Sequence, residues 1–205
     1  MLLADIGNSF IKIYKNGEIE RKNLNEFPKE KFFYINVNKK IDIPKHGINI
    51  EKWFDFKTSY KNLGIDRIAA CYTVKNGVVI DAGSAITVDI MENGIHKGGF
   101  ILPGLRAYQK SFATISPILD INLNKNVSLN TLPLNTKDAI SFATFGSIAC
   151  LIERIANSKK IYLTGGDGEI LLNFLKNAAY EKLLVFNGMI KAIKEKDAHN
   201  SLAKR

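Results

Sequence analysis

Apolar and polar positions along this chain fall into short strand-like runs in the first half and longer helical stripes in the second. Residues 1–6 (MLLADI) read as a buried strand, and FIKIYK from Phe10 alternates as a half-buried strand does. Asn16-Gly17 closes a hairpin onto a third strand that begins at Glu18. FFYINV (32–37) is a further strand, and Ile50 to Phe54 a short helix. From Gly64, Ile65, Ile68, Ala69 and Tyr72 recur at helical spacing, with Asp66 in the first turn, where a carboxylate suits the positive end. The strand GVVIDA follows, then a Gly83-Ser84-Ala85 turn, a second β-rich run through Ile90, an Asn93-Gly94 turn, and a third run ending at Gly98-Gly99-Phe100-Ile101. LRAYQKSFATI is an amphipathic helix entered through Pro103, and 116–133 is a loop without a period. A long helix starts at Thr136, taken as its N-cap. It is apolar over much of its circumference, which predicts either a deep core position or burial by a second subunit; a homodimer contact is the expectation. The last third predicts a strand (KKIYLT) into a Gly-rich turn, a helix (EILLNFLKNA), a strand (LLVF), a helix (GMIKAIKE) and a frayed end from Lys196.

Two of these segments repeat. DIGNSFIKIYKNGEI runs from Asp5 and DAGSAITVDIMENGI from Asp81. Each has Asp-x-Gly, a small polar residue, a β-run, Asn-Gly and another strand, and the Asp-to-Asn spacings differ by one residue. The repeat predicts two similar lobes, each presenting an Asp-Gly turn to a shared cleft.

Composition narrows the class. The 205 residues are 46% hydrophobic and 24% charged, ordinary for a globular protein with a real core. No stretch approaches the roughly 18–20 apolar residues of a membrane span, and the N-terminus has no basic signal-peptide region. Cys71 and Cys150 are far apart, with no CxxC, so reduced thiols in a cytoplasmic protein are expected and a zinc site is not. The net charge of +9 is scattered, densest in Lys191, Lys194, Lys196, Lys204 and Arg205. That reads as a solvated surface rather than a nucleic-acid patch.

Four groups carry candidate chemistry: Asp5 to Ser9 with Lys12, Asp81 to Ser84, Gly64 to Arg67, and Thr164 to Gly168. Neither GxxxxGK[ST] nor GxGxxG occurs, so a P-loop or Rossmann site is unsupported. Two Asp-Gly turns could cradle phosphates through backbone N–H groups. Asp5 could hold Mg²⁺ through water, and Lys12 could neutralise phosphate charge. Asp66 could accept a hydroxyl proton, and Arg67 could grip an anionic group with its planar fork. Taken singly, each is also a plain turn, a helix-start charge or a surface arginine. Their order and duplication favour a phosphoryl-transfer site.

The chain resembles the type III pantothenate kinases of the acetate and sugar kinase/Hsp70/actin superfamily. The resemblance rests on DIGNSFIK (5–12), LGIDR (63–67), DAGSAITVD (81–89), GGFILPG (98–104), TKDAISFATFG (136–146) and LTGG (163–166), in family order. It implies an α/β, actin-like ATPase fold of two ribonuclease-H-like lobes, 1–76 and 77–205, with mixed sheets flanked by helices. It implies ATP-dependent phosphorylation of pantothenate to 4'-phosphopantothenate, with Mg²⁺, with K⁺ or NH₄⁺, and in a homodimer with an interface active site. By the same resemblance Asp5, Ile6, Gly7, Asn8, Ser9, Phe10, Ile11 and Lys12 form the ATP phosphate loop, and Ser84 contacts ATP. Asp66 is the catalytic base. Tyr60, Gly64, Ile65, Asp66, Arg67 and Thr136 bind substrate, and Asp81 holds the monovalent cation. The chain departs from the family pattern in having Ser84 for the usual Thr, and in a shortened Tyr60-to-Gly64 spacing that lacks a Pro. The remaining alternatives are another kinase of the superfamily, acting on a sugar or carboxylate, and a nucleotide-gated regulator that binds nucleic acid.

Overall fold

The structure is a computed structural model that describes residues 1–202, so Lys204 and Arg205 of the basic tail lie outside the described residues. Two compact units divide the chain. Unit 1 comprises Met1–Lys75, Gly94–His96 and Leu183–Arg205; unit 2 comprises Asn76–Asn93 and Lys97–Lys182.

In unit 1 the strands are β1 (Leu2–Ile6), β2 (Ile11–Lys15), β3 (Glu18–Lys22), β4 (Phe32–Asn36) and β5 (Gly47–Asn49), ordered β3-β2-β1-β4-β5. β1 and β2, and β2 and β3, pair antiparallel, whereas β4 runs parallel to both β1 and β5. Asn16 and Gly17 take positive φ of 52° and 92°, as the tight turn between β2 and β3 demands. One sheet face buries Ala4, Ile6, Ile11, Ile13 and Phe32. The predicted short helix at 50–54 is a single 3-10 turn, Glu51–Trp53. Helix α1 (Ile65–Cys71) begins at Gly64, as its spacing predicts.

Unit 2 repeats the plan. Its strands are β6 (Gly77–Ala82), β7 (Ala85–Glu92), β8 (Ile95–Pro103, of which Ile95 and His96 belong to unit 1), β9 (Ile161–Thr164) and β10 (Ala178–Tyr180), ordered β10-β9-β6-β7-β8. β7 is antiparallel to β6, while β9 is parallel to β6 and to β10. Read from the outer hairpin strand inwards, β8-β7-β6-β9-β10 matches β3-β2-β1-β4-β5, so the repeated sequence unit is a repeated fold unit. α2 (Leu105–Ile115) and α3 (Thr136–Ala156) lie where the periodicity predicts them.

Several local expectations are corrected. The N-cap of α3 is Asn135, whose side chain accepts from the Asp138 N–H at 2.9 Å; Thr136 is the first helical residue. Asn124 and Asn135 each donate to the Asp138 carboxylate at 2.7 Å and hold its pKa below the usual value, Asn124 being the larger cause. The helix after β9 is short, α4 (Gly168–Leu172), and its expected second half runs into β10. LLVF is not a strand: Leu184 begins α5, which continues to Leu202 rather than fraying from Lys196. Val185, Met189, Ala192 and Ile193 are buried at helical spacing. α3 is, by length and composition, apolar enough to cross a membrane, with mean hydropathy 1.5 over its best 18-residue window. By length and composition, then, one stretch does approach a membrane span, contrary to the expectation. Phe145, Ile148, Ala149, Ile152 and Ala156 bury one face of α3 in the core of unit 2. Ala139, Ala143, Ser147 and Cys150 remain on an exposed face.

α5 packs on α1 so closely that a side chain at Gly188 would collide with the Ala69 carbonyl. Tyr72, just after α1, ties the pair: its hydroxyl donates to the Glu195 carboxylate at 2.5 Å, and Lys191 Nζ donates to the Tyr72 carbonyl at 2.9 Å. Burial first, then the Glu195 bond, raises the Tyr72 pKa from 10.0 to about 12. Below pH 10 both folded and unfolded chains keep the phenol proton; between pH 10 and about 12 only the folded chain does. We expect the unfolding free energy to fall as pH rises through that window. In Tyr72→Phe this component should vanish, with a loss of about 1 kcal/mol at pH 7. Urea unfolding between pH 7 and 12 measures both.

Candidate active site

In unit 1 the pairing of β1 with β2 sets Asp5 directly across from Lys12. Asp5 is 5% exposed, and Lys12 Nζ stands 3.4 Å from its Oδ2. The chain reverses at Gly7, whose N–H donates to the Phe10 carbonyl at 3.0 Å. Asn8 and Ser9 are exposed at the tip, whereas the Ile6 and Ile11 side chains are fully buried. Any ligand contact from those two isoleucines must therefore come from backbone. The Arg21 guanidinium covers the Phe10 ring at 3.0 Å from its centroid.

The second group of unit 1 surrounds the start of α1. Asp66 Oδ1 accepts the Arg67 N–H at 2.8 Å, which folds the carboxylate back over Gly64. A Cβ on Gly64 would come 2.5 Å from that oxygen, so the glycine leaves the notch in which the carboxylate rests. Arg67 is 6% exposed, and its guanidinium carbon lies 4.9 Å from the centroid of the Tyr60 ring. Tyr60, Gly64, Asp66 and Arg67 thus form one cluster, despite the short spacing between Tyr60 and Gly64.

In unit 2 three turns interlock at one end of the sheet. The β6–β7 turn carries Gly83 and Ser84, with Ser84 exposed and Gly83 N–H donating to the Ala85 carbonyl at 2.9 Å. Gly104, ending the GGFILPG run, donates its N–H to the Ser84 carbonyl at 3.2 Å. A Cβ there would strike the Gly83 and Ser84 carbonyls. Parallel pairing sets Asp81 beside Thr164, and the chain then turns at Gly165 with φ 87°. A Cβ on Gly165 would collide with the Asp81 carboxylate and the Ala82 carbonyl. Asp167 N–H donates to that same carbonyl at 2.9 Å, and the Tyr180 hydroxyl donates to the Gly165 carbonyl at 3.1 Å. The structure therefore gathers Asp81, Ser84 and the GGDG turn. Thr136 is exposed at the first position of α3. Among the described residues no three His, Cys, Asp or Glu side chains converge as a metal cage.

Sequence reasoning missed His96. It is 1% exposed, and its Nδ1 is 2.7 Å from the Thr58 hydroxyl. Its sequence context is an unremarkable strand start, and the contact spans 38 residues, so no local pattern could announce it.

The chain is similar to known proteins over nearly its whole length. A family model described as type III pantothenate kinase matches residues 33–158. A type III pantothenate kinase of Campylobacter jejuni is 49% identical over 95% of this chain and 97% of its own length. One from Helicobacter hepaticus is 42% identical over 95% of this chain and 99% of its own. A solved Campylobacter jejuni structure, whose name places it in a Baf family of transcriptional activators, superposes with TM-score 0.88 at 48% identity. It covers 97% of this chain and 100% of its own. A Sinorhizobium meliloti structure named for a 2-dehydro-3-deoxygalactonokinase has TM-score 0.54 at 10% identity and covers 95% and 98% of the two chains, a likeness of fold alone.

Adjacent glycines test the interlocked turns. Gly165→Ala forces a side chain into backbone at a positive φ, so we expect a loss of about 2–3 kcal/mol. Gly166→Ala, with nothing within 4 Å of its Cβ, should stay within about 0.5 kcal/mol of the parent. Thermal unfolding of the two variants separates them.

Proposed function

The chain belongs to the type III pantothenate kinase family, and from that premise we propose which residues take part in its phosphoryl transfer. The activity is ATP-dependent phosphorylation of pantothenate to 4'-phosphopantothenate, which begins coenzyme A synthesis. The observation that carries the residue assignment is the Asp66 carboxylate, fixed over Gly64 by the Arg67 N–H beside a buried guanidinium.

The acceptor hydroxyl of pantothenate must lose its proton as its oxygen bonds to the γ-phosphorus and the bridging oxygen leaves with ADP. Asp66 receives that proton. Arg67 pairs with the pantothenate carboxylate, and the Tyr60 ring supports the guanidinium on its other side. The Asp5–Lys12 turn takes the ATP phosphates: Lys12 supplies positive charge, and the exposed Asn8-Ser9 tip supplies polar groups. Ser84 is assigned to ATP contact and Thr136 to substrate binding.

A single buried carboxylate beside a phosphate turn fits Mg²⁺, which keeps most of its water and takes its remaining oxygens from phosphate. Asp5 would hold it, and it would supply charge neutralisation at the phosphates. The Asp81 carboxylate, packed against the glycine turn and the Ala82 carbonyl, offers the oxygen donors that suit K⁺ or NH₄⁺. Exposed apolar side chains in unit 2 support a homodimer. Ile115, Ile118, Leu132 and Leu134 are 72%, 79%, 80% and 99% exposed, and α3 adds a small-residue face. In such a dimer Thr136 would serve the partner's pocket. Cys71, buried, and Cys150, exposed, are not joined in a disulfide, which is consistent with a cytoplasmic location. The net charge of +9 and the name of the Campylobacter relative would favour a DNA-binding regulator instead. Salt-sensitive DNA binding without pantothenate-dependent turnover would support that reading.

The test is ADP release with ATP, Mg²⁺, pantothenate and KCl. We expect Asp66→Asn to lower kcat by about 100-fold or more with an unchanged melting temperature. Turnover of the parent should be much lower in NaCl. Near-normal turnover in the Asn variant would remove Asp66 as base, and equal rates in the two salts would remove the cation role of Asp81.

A further inference from the structure

We propose that His96 is a positioning residue for the acceptor side of this reaction, fixing the Lys57–Tyr60 segment so that the Tyr60 ring lies beneath the Arg67 guanidinium. The functional consequence rests on the kinase reading above; the structural part stands by itself.

His96 touches that segment at three points. Its backbone N–H donates to the Lys57 carbonyl at 3.0 Å, and an isolated parallel bridge pairs it with Thr58. Its Nδ1 is 2.7 Å from the Thr58 hydroxyl. Its ring meets the Tyr60 ring edge-on, centroids 6.0 Å apart, and lies 5.8 Å from the Phe56 ring. The Thr58 hydroxyl also accepts the Tyr60 N–H at 3.0 Å. One hydroxyl therefore joins the imidazole to the backbone of Tyr60. Either tautomer of His96 makes this bond, since the hydroxyl can donate to Nδ1 or accept from it.

This arrangement answers a problem of order. Tyr60 is 37% exposed and follows the exposed Ser59, so its own neighbours do little to hold it. Arg67 is buried and offers one face of its guanidinium to the Tyr60 ring at 4.9 Å. A cation–π contact and an edge-on aromatic pair are each weak, too weak to hold an exposed turn unaided. The backbone bond to Lys57 and the Thr58 relay supply the missing constraint. They come from a residue that is 1% exposed and so immobile itself. A leucine of similar size would fill the space but leave the Thr58 hydroxyl without its imidazole partner.

The variants are His96→Ala, His96→Asn and Thr58→Val, the last nearly isosteric and so expected to fold even if His96→Ala does not. Trypsin reads the segment directly, because Lys57 and Lys61 flank it and both are exposed. We expect His96→Ala and Thr58→Val to be cut after these lysines about tenfold faster than the parent. His96→Asn, whose amide can reach the Thr58 hydroxyl, should recover most of the resistance. In turnover, His96→Ala and Thr58→Val should each raise KM for pantothenate about tenfold while kcat and KM for ATP stay within about twofold. The double variant should be no worse than the worse single one. Unchanged cleavage in both single variants overturns the inference. So does faster cleavage with an unchanged KM for pantothenate, or a fall in kcat with KM unaltered. If the parent enzyme ignores pantothenate, the kinase reading fails, and the cleavage pattern alone then decides whether His96 holds the segment.

Discussion

The chemistry of this chain depends on backbone approaching where no Cβ can be accommodated. At Gly64 the missing side chain makes the notch for the Asp66 carboxylate; at Gly104 it lets the PG turn lie on the Gly83-Ser84 carbonyls; at Gly165 it lets a strand end pass the Asp81 carboxylate. At each place the absent Cβ leaves room for a carboxylate or a backbone polar group to lie against the main chain. Preorganisation of this kind suits phosphoryl transfer, where the protein contributes position and charge more than covalent chemistry. The cost is conformational freedom lost at glycine, which the surrounding hydrogen bonds offset.

Duplication explains how a modest chain supplies two such turns. Each unit sets its aspartate one residue before the end of the first strand of an antiparallel hairpin, beside a parallel strand. The copies have diverged in what they put opposite. Asp5 faces Lys12 across the hairpin, a pairing that suits phosphate charge, whereas Asp81 faces Thr87 and packs against a glycine turn, which suits a cation. The same fold unit thus sets an aspartate opposite a lysine in one copy and opposite a threonine in the other.

Much of this was legible in the sequence. The hairpins announced themselves through Asn-Gly pairs with alternating flanks, and α1, α2 and α3 through their periodicity, because these signals are local. LLVF misled because a four-residue apolar run does not distinguish strand from buried helix; only the continuation through Met189 and Ile193 does. The true edge strand, Ala178–Tyr180, is three residues long and carries no alternation to read. Asn135 and Thr136 are both good capping residues, and it is the Asn135 side chain that accepts the Asp138 N–H. The Asp5, Asp66 and Asp81 motifs could be named from spacing and family resemblance. His96 could not, since its partner lies 38 residues away and its role exists only once the chain has folded.

The account stands most directly on the notch at Gly64. A methyl group there displaces the Asp66 carboxylate, a short side chain able to move, rather than buried backbone. Steady-state kinetics of Gly64→Ala, alongside thermal unfolding, is therefore the decisive measurement. Stability should fall by no more than about 1 kcal/mol, the difference between Gly and Ala at a helix N-cap, while kcat falls at least tenfold with KM for ATP unchanged. Parent-like kcat in a folded Gly64→Ala enzyme would show that the position of the Asp66 carboxylate does not govern the transfer, and would contradict the account.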